Sequence, residues 1–263
     1  MTLGIFKRKN NVKLQVRKRR FKNLLRNTLI LCAAVMLVAG LRYLSLHLEK
    51  LKINSILIEG AGETLSPGQV LAQSGLSIGL PIFTIDLPEV VRRLEENPWI
   101  QSVKVKRQLP HTLLISLKRY EPKLILNVGK LYYLNDQGKI FKEIDPQIDS
   151  LDFPMLSGLS REQVEQDPPR AREIFSDAVK LLLAFEGHPA YGQLGISEIH
   201  FDPSGGFSLY PEKQSFRVLV GFDDFEKKLK RLDLAYQKLK KMGQSFALID
   251  LNYEGKVILL KGS

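Results

Sequence analysis

Cysteine and tryptophan are almost missing from this 263-residue chain: each occurs once, as Cys32 and Trp99. A single thiol excludes any disulfide within the chain, so whatever folds must be held by an ordinary apolar core. Histidine is also scarce. The four, at positions 47, 111, 188 and 200, are scattered, and none stands at metal-ligand spacing from another His, Cys or carboxylate. No Ser or Thr has a Lys three positions later, which excludes the penicillin-binding type of serine site. Gly60-Ala61-Gly62 opens like a dinucleotide-binding loop, but Leu65 stands where the third glycine belongs. A tight turn is the reading there. Asp223-Asp224 is placed to favour the start of a helix and is not read as an acid–base pair. No catalytic, cofactor-binding or metal-binding residues emerge, and the chain is read as neither an enzyme nor a cofactor protein.

Acidic residues are absent before Glu49, and this absence explains the overall charge of +11. Ten of the 39 Lys and Arg precede Thr28, leaving 29 basic groups against all 28 acidic ones in the remainder. The positive charge therefore belongs to a short leader. A nucleic-acid-binding domain spreads its excess over a folded face, so no nucleic-acid partner is expected. A nucleic-acid-binding protein using the arm remains the alternative from another class.

The basic run stops at an oily one. Asn27 to Leu41 are 15 uncharged residues, about 22 Å of helix against a hydrocarbon core of about 30 Å. Apolar flanks extend it: Leu24 to Leu48 as a helix is about 37 Å long. Arg26 and Arg42 can reach the two headgroup layers on their flexible stems. The reading is one transmembrane helix over 27–48, preceded by a cytoplasmic arm over 1–26 and followed by an exported body. Two rivals are a signal peptide cleaved near Val38-Ala39-Gly40 and a buried helix of a soluble protein. The signal peptide fits less well, because the leader is long and apolar residues continue past Gly40.

The exported part begins with an ordered β-α-α-β-β pattern. Ile53 to Glu59 is short and β-branched, and ends in glycine. Ser66-Pro67-Gly68-Gln69 reads as a capping box with proline at N1, closed by Gly75. Asp86-Leu87-Pro88-Glu89 is a second helix start, with Leu87, Val90, Val91 and Leu94 as its stripe, ended by Asn97-Pro98. Val103 and Val105, then Ile115 and Leu117, alternate with polar residues as half-buried strands do. Trp99 stands where the second helix hands over to a strand and is read as a core aromatic.

The pattern then turns mostly to strands. Lys130–Leu134 and Lys139–Lys142 flank Asn135-Asp136-Gln137-Gly138, a hairpin signal. A helix from about Arg170 to Glu186 carries Ile174, Ala178, Leu181 and Phe185 at helical spacing. Strands are expected over 197–201, 206–210 and 216–220. A last helix carries Phe225, Leu229, Leu232, Tyr236 and Leu239, closed by Gly243. The chain finishes with Phe246–Tyr253, a turn at Glu254-Gly255, and Lys256–Leu260. If this final strand lies at a sheet edge, its unpaired backbone groups can accept a strand from another protein.

Asn97-Pro98-Trp99-Ile100, Val103, Val105, Arg107, Pro110, Leu113, Ile115 and Glu121-Pro122 together resemble the POTRA domain of the FtsQ/DivIB family. Phe153-Pro154-Met155-Leu156-Ser157-Gly158 and Asp250-Leu251-Asn252-Tyr253 resemble later segments of the same family, and the order of anchor and two domains matches too. The resemblance implies an α+β fold: a single N-terminal transmembrane helix, a β-α-α-β-β POTRA domain over 51–119, then a mostly antiparallel β domain with two helices over 120–263. It implies a single-pass protein of the cell inner membrane, N-terminus cytoplasmic and C-terminal domains periplasmic, acting at the division septum. Its partners would be FtsB and FtsL, with further division proteins reached through the POTRA domain. Carried over by motif, the partner contacts fall on Tyr253, Gly255 and Val257, with Leu251 and Asn252 beside them; Ile258 joins them as a position on the edge of the final strand. Asn252 departs from the family, which often has Arg there, so a charged contact is in doubt. The short tail after the last strand tilts the reading toward a two-membrane bacterium. Proteins for export or outer-membrane assembly share the POTRA domain and are the third reading.

Overall fold

The computed structural model describes residue 22 and residues 25–43, 51–62, 64–242 and 246–261. Most of the basic arm and the expected helix closure at Gly243 lie outside these residues. Helix α1, Leu25–Tyr43, is 19 residues long, apolar and entirely exposed. At about 1.5 Å per residue it measures about 28 Å, close to a hydrocarbon core. The chain is thus a candidate single-pass membrane protein. Beyond α1 it divides into two compact units, one running to Leu94 and resuming at Val103–Leu117, the other comprising Glu95–Ser102 and the chain from Lys118.

The first unit holds β1 (Ser55–Glu59), α2 (Pro67–Ser74), α3 (Leu87–Glu95) up to Leu94, β2 (Ile100–Gln108) from Val103 and β3 (Thr112–Arg119) up to Leu117, in the expected β-α-α-β-β order. The sheet order is β1-β3-β2, with β1 parallel to β3 and Ser55 opposite Thr112. The start of α2 is fixed by both halves of the capping box. Ser66 Oγ accepts from the Gln69 amide, and Gln69 Oε1 accepts from the Ser66 amide at 2.9 Å. Gly75 ends the helix at φ 69°, a conformation that only glycine adopts without strain. Val90 and Leu94 of α3 pack into a core with Ile53, Val70, Ile82, Leu113 and Ile115.

The second unit is built on a nine-stranded sheet. Its strands are β4 (Leu124–Asn127), β5 (Leu131–Leu134), β6 (Ile140–Glu143), β7 (Met155–Ser157), β8 (Ile196–Asp202), β9 (Gly206–Pro211), β10 (Arg217–Gly221), β11 (Phe246–Asp250) and β12 (Ile258–Lys261). Their order across the sheet is β12-β11-β10-β9-β8-β7-β4-β5-β6. Most neighbours are antiparallel, but β4–β7, β7–β8 and β10–β11 are parallel. The two long helices expected are α5 (Pro168–Glu186) and α6 (Phe225–Met242), with a short α4 (Arg161–Gln166) before them. Ile174, Ala178, Leu181 and Phe185 of α5 are buried, as their spacing requires. Leu229 and Leu232 of α6 join them, with Phe225 and Tyr236 packed alongside; the side chain of Leu239 lies outside the described residues.

Ile125, Tyr133 and Ile144 form a smaller core, with Trp99, Phe141 and Phe153 packed against it. Trp99 is half-buried, its ring 5.4 Å from that of Tyr133 and 5.7 Å from that of Phe141. The Lys142 ammonium sits over it, 5.6 Å from the ring centre. The same lysine is ion-paired with Asp149 on a nearly buried site. Burial pushes the Asp149 carboxyl up, but the Lys142 bond, the Asp145 amide and the lysine charge outweigh it and hold it below the ordinary value.

Candidate functional site

The C-terminal edge of the nine-stranded sheet starts from β10 and β11. Parallel pairing sets Val218 beside Ile249, so both drive apolar side chains into the main core. Strand β12 then folds back along β11, with Ile258 opposite Asp250 and Leu260 opposite Leu248. Among the described strands β12 has no neighbour on its other side. Leu259 leans on the main core, whereas Ile258 and Leu260 are exposed. An unshared rim of backbone donors and acceptors with apolar side chains beside it is what strand addition needs.

The connection between β11 and β12 is held by helix α6. Arg231 spreads its guanidinium across two carbonyls, donating through Nη2 to Leu251 O at 2.8 Å and through Nη1 to Tyr253 O at 2.6 Å. The planar fork suits two acceptors in one plane, which an ammonium could not match. Asn252 N donates to Asp250 Oδ1 at 2.9 Å. One turn earlier on α6, the buried Lys228 donates to Asp223 at 2.8 Å. That hydrogen bond, and then the lysine charge, keeps the Asp223 carboxyl below its ordinary value. Asp223 therefore also serves an ion pair, just ahead of the start of α6 at Phe225.

The six residues expected to touch a partner fare differently. Tyr253 is 53% exposed and Ile258 is exposed on the rim. Gly255 turns the chain at φ 67°, in the left-handed region. Asn252 is exposed, with no cation of its own; the guanidinium beside this segment is that of Arg231. Val257 is half-buried against the core. Leu251 must be corrected: it is 0% exposed, and its amide donates to Leu219 O at 2.9 Å. Its side chain belongs to the core and is not available to a partner. The final strand is also shifted from the expected 256–260 to Ile258–Lys261. Arg231 was missed by sequence reading, because nothing in a helical pattern says which loop a surface arginine will reach.

A Ser/His/acid group was also not foreseen. Ser157, Glu198 and His200 meet on β7 and β8, with His200 Nδ1 2.8 Å from Ser157 Oγ and 3.8 Å from Glu198 Oε1. Ser157 Oγ also donates to Glu198. A catalytic relay needs the ring to bridge serine and acid through its two nitrogens. Here both partners crowd the same nitrogen, so the ring cannot pass a proton between them. Among the described residues no group of three His, Cys, Asp or Glu could hold a metal ion.

Comparison with known proteins decides the lineage. The description "POTRA domain, FtsQ-type" matches residues 51–120, and "Cell division protein FtsQ/DivIB, C-terminal" matches residues 124–252. The cell division protein FtsQ of Geobacter sp. (strain M21) is 33% identical over 216 residues, 82% of this chain and 76% of that protein. The chain belongs to the FtsQ/DivIB family. FtsQ of Geotalea daltonii is similar at 28% identity over 225 residues, covering 86% of this chain and 78% of the relative. A solved extracytoplasmic domain of DivIB from Geobacillus stearothermophilus is similar at 16% identity, with a TM-score of 0.31, over 47% of this chain and 97% of that one. The second FtsQ/DivIB match stops at Asn252, so Tyr253, Gly255, Val257 and Ile258 lie beyond it.

Proposed function

We propose that this FtsQ/DivIB chain is a non-catalytic scaffold of the bacterial division complex, which captures a strand of FtsB, in complex with FtsL, along β12. The observation that carries the reading is the position of β12: outermost in the sheet among the described strands, with Ile258 and Leu260 exposed. In this reading residues 1–26 are a cytoplasmic arm, 27–48 cross the inner membrane, and the domains over 51–119 and 120–263 are periplasmic, at the septum. The basic arm keeps the N-terminus inside. A captured strand would gain backbone hydrogen bonds from the rim, while Tyr253, Ile258 and Leu260 would select its side chains.

The test is photo-crosslinking in living cells from Ile258 and Leu260, with Ile140 on the opposite edge strand β6 as the control. FtsB is expected from both β12 positions and not from Ile140. A chain that reaches the septum yet yields no FtsB from either position would refute the reading. A carboxyl-terminal reporter active only in the cytosol would refute the topology.

A further inference from the structure

One corner of the first unit carries apolar side chains that no core uses. Between α2 and α3 the chain turns through Leu76–Ile85, and there Ile78 is 69% and Phe83 58% exposed. Leu80 beside them is exposed too. Leu109, in the turn between β2 and β3, is 61% exposed. The backbone brings these side chains to one end of the unit. Ile53 N donates to Leu80 O at 2.9 Å, Gly79 N to Ile53 O at 2.8 Å and Ile82 N to Leu51 O at 2.9 Å. Asn54 N donates to His111 O at 2.9 Å, which ties the Leu109 turn to the same place.

The loop is fastened, so its apolar side chains are held out rather than left loose. Ile82 is fully buried beneath it. Arg107 donates from Nε to Ile82 O at 2.9 Å and from Nη2 to Ile85 O at 2.6 Å. Charge is missing as well: from Thr64 to Ile85, 22 residues in succession, there is no Asp, Glu, Lys or Arg, although a quarter of the chain is charged. A surface that gives up no charge loses little on leaving water.

The attachment of this corner says what covers it. Its hydrogen bonds run to Leu51 and Ile53, and only residues 44–50 separate Leu51 from the end of α1 at Tyr43. Eight Cα steps reach at most roughly 28 Å. Whatever path residues 44–50 take, Leu51, to which this loop is bonded, stays within that distance of the end of α1.

We propose that Ile78, Leu80, Phe83 and Leu109 insert into the outer headgroup layer and seat the first unit on the membrane. The ligand is the lipid surface itself. Insertion to about 5–10 Å, the depth of interfacial segments, covers side chains of this size. The exposed Lys52 lies beside the loop, bridged to Pro81. The proposal rests on α1 as a membrane span and is independent of strand capture at β12. One membrane contact is then the helix and the second is the corner, and the two together restrict how the first unit can turn above the bilayer.

The test uses the full chain in vesicles of phosphatidylethanolamine and phosphatidylglycerol. Cys32→Ser removes the only thiol, and Phe83→Cys or Leu109→Cys carries a polarity-sensitive dye. Gly68→Cys is the control, at the start of α2 where an added Cβ meets nothing within 4 Å. Dyes at 83 and 109 are expected to emit to the blue of the dye at 68, and to lose emission to lipids bearing a nitroxide near the headgroup. Because the dye is itself apolar, a second variant follows Leu109→Cys with Ile78→Ser, Leu80→Ser and Phe83→Ser together; its blue shift should shrink while the melting curve holds. Equal aqueous emission at 83 and 68 overturns the proposal. So does a blue shift that follows protein density and ignores nitroxide lipid, which would assign the corner to a second copy or a partner protein. Loss of FtsB crosslinks at β12 would leave these readings unmoved, so the two ideas fail separately.

Discussion

Replacing Arg231 with methionine isolates what fastens the connection to β12. The substitution keeps a long apolar stem and good helix propensity, and removes two charged donors. A hydrogen bond from a charged group contributes about 1.5–3 kcal/mol net when partly buried. The bond to Leu251 O is partly buried and is taken at about 1.5 kcal/mol; the bond to Tyr253 O is exposed, water replaces it, and about 0.5 kcal/mol is reasonable. Together they give about 2 kcal/mol, roughly a 30-fold change in an equilibrium constant. The amides of residues 252–260 should therefore exchange with solvent up to roughly 30-fold faster, with little change in α5. If β12 captures FtsB, affinity in nanodiscs should fall by up to the same factor. Arg231→Lys should recover only part, since an ammonium cannot serve both carbonyls at once. Unchanged exchange across 252–260 in a folded Arg231→Met variant would show that the fork does not order the connection.

Two further substitutions probe the same unit. Gly206 and Gly221 approach backbone to backbone: a Cβ on Gly206, φ 74°, would stand 2.3 Å from the Gly221 carbonyl carbon, whereas one on Gly221, φ 82°, would meet Asn252 Oδ1, a movable side-chain end. Both pay about 1–2 kcal/mol for the left-handed backbone, but Gly206→Ala should lose roughly 2–5 kcal/mol in chemical denaturation because overpacking adds to it; equal losses would contradict this. The Lys142–Asp149 pair gives a pH signature. The folded pKa of Asp149 is below its unfolded value, so its contribution is present above about pH 4 and lost as pH falls below that. Asp149→Asn should be less stable than the parent at pH 7 and approach it toward pH 3; a difference independent of pH would refute the pairing.

Local order was legible where one short segment contains its own reason. Ser66 and Gln69 form both bonds of the capping box, and Asn135 Oδ1 accepts from the amides of Gln137 and Lys139 to close the expected hairpin. The same grammar went unread at Ser160 and Gln163, which cap α4 in the same way. Strand β4 was hidden for another reason. Leu124-Ile125-Leu126 are all buried, so the alternation that marks a half-exposed strand is absent. The three parallel pairings in the large sheet join segments far apart in sequence, and no local pattern names a distant neighbour. At the candidate site the turn and an exposed Tyr253 were readable. The burial of Leu251 was not, because Asp-Leu-Asn-Tyr looks like a surface motif until Leu219 is laid beside it. The outermost place of β12 depends on the whole strand order.

Parallel pairing of β1 with β3 has a cost in time. Ser55 finds Thr112, 57 residues later, as its partner. On a ribosome adding roughly 5–20 residues per second, the distance between them is a pause of several seconds. During it, β1, the first described strand after α1, has no partner to close on. A chain arriving amino end first must keep that apolar ribbon from straying, and whatever shelters it in the interval becomes as necessary to the finished fold as Thr112 itself.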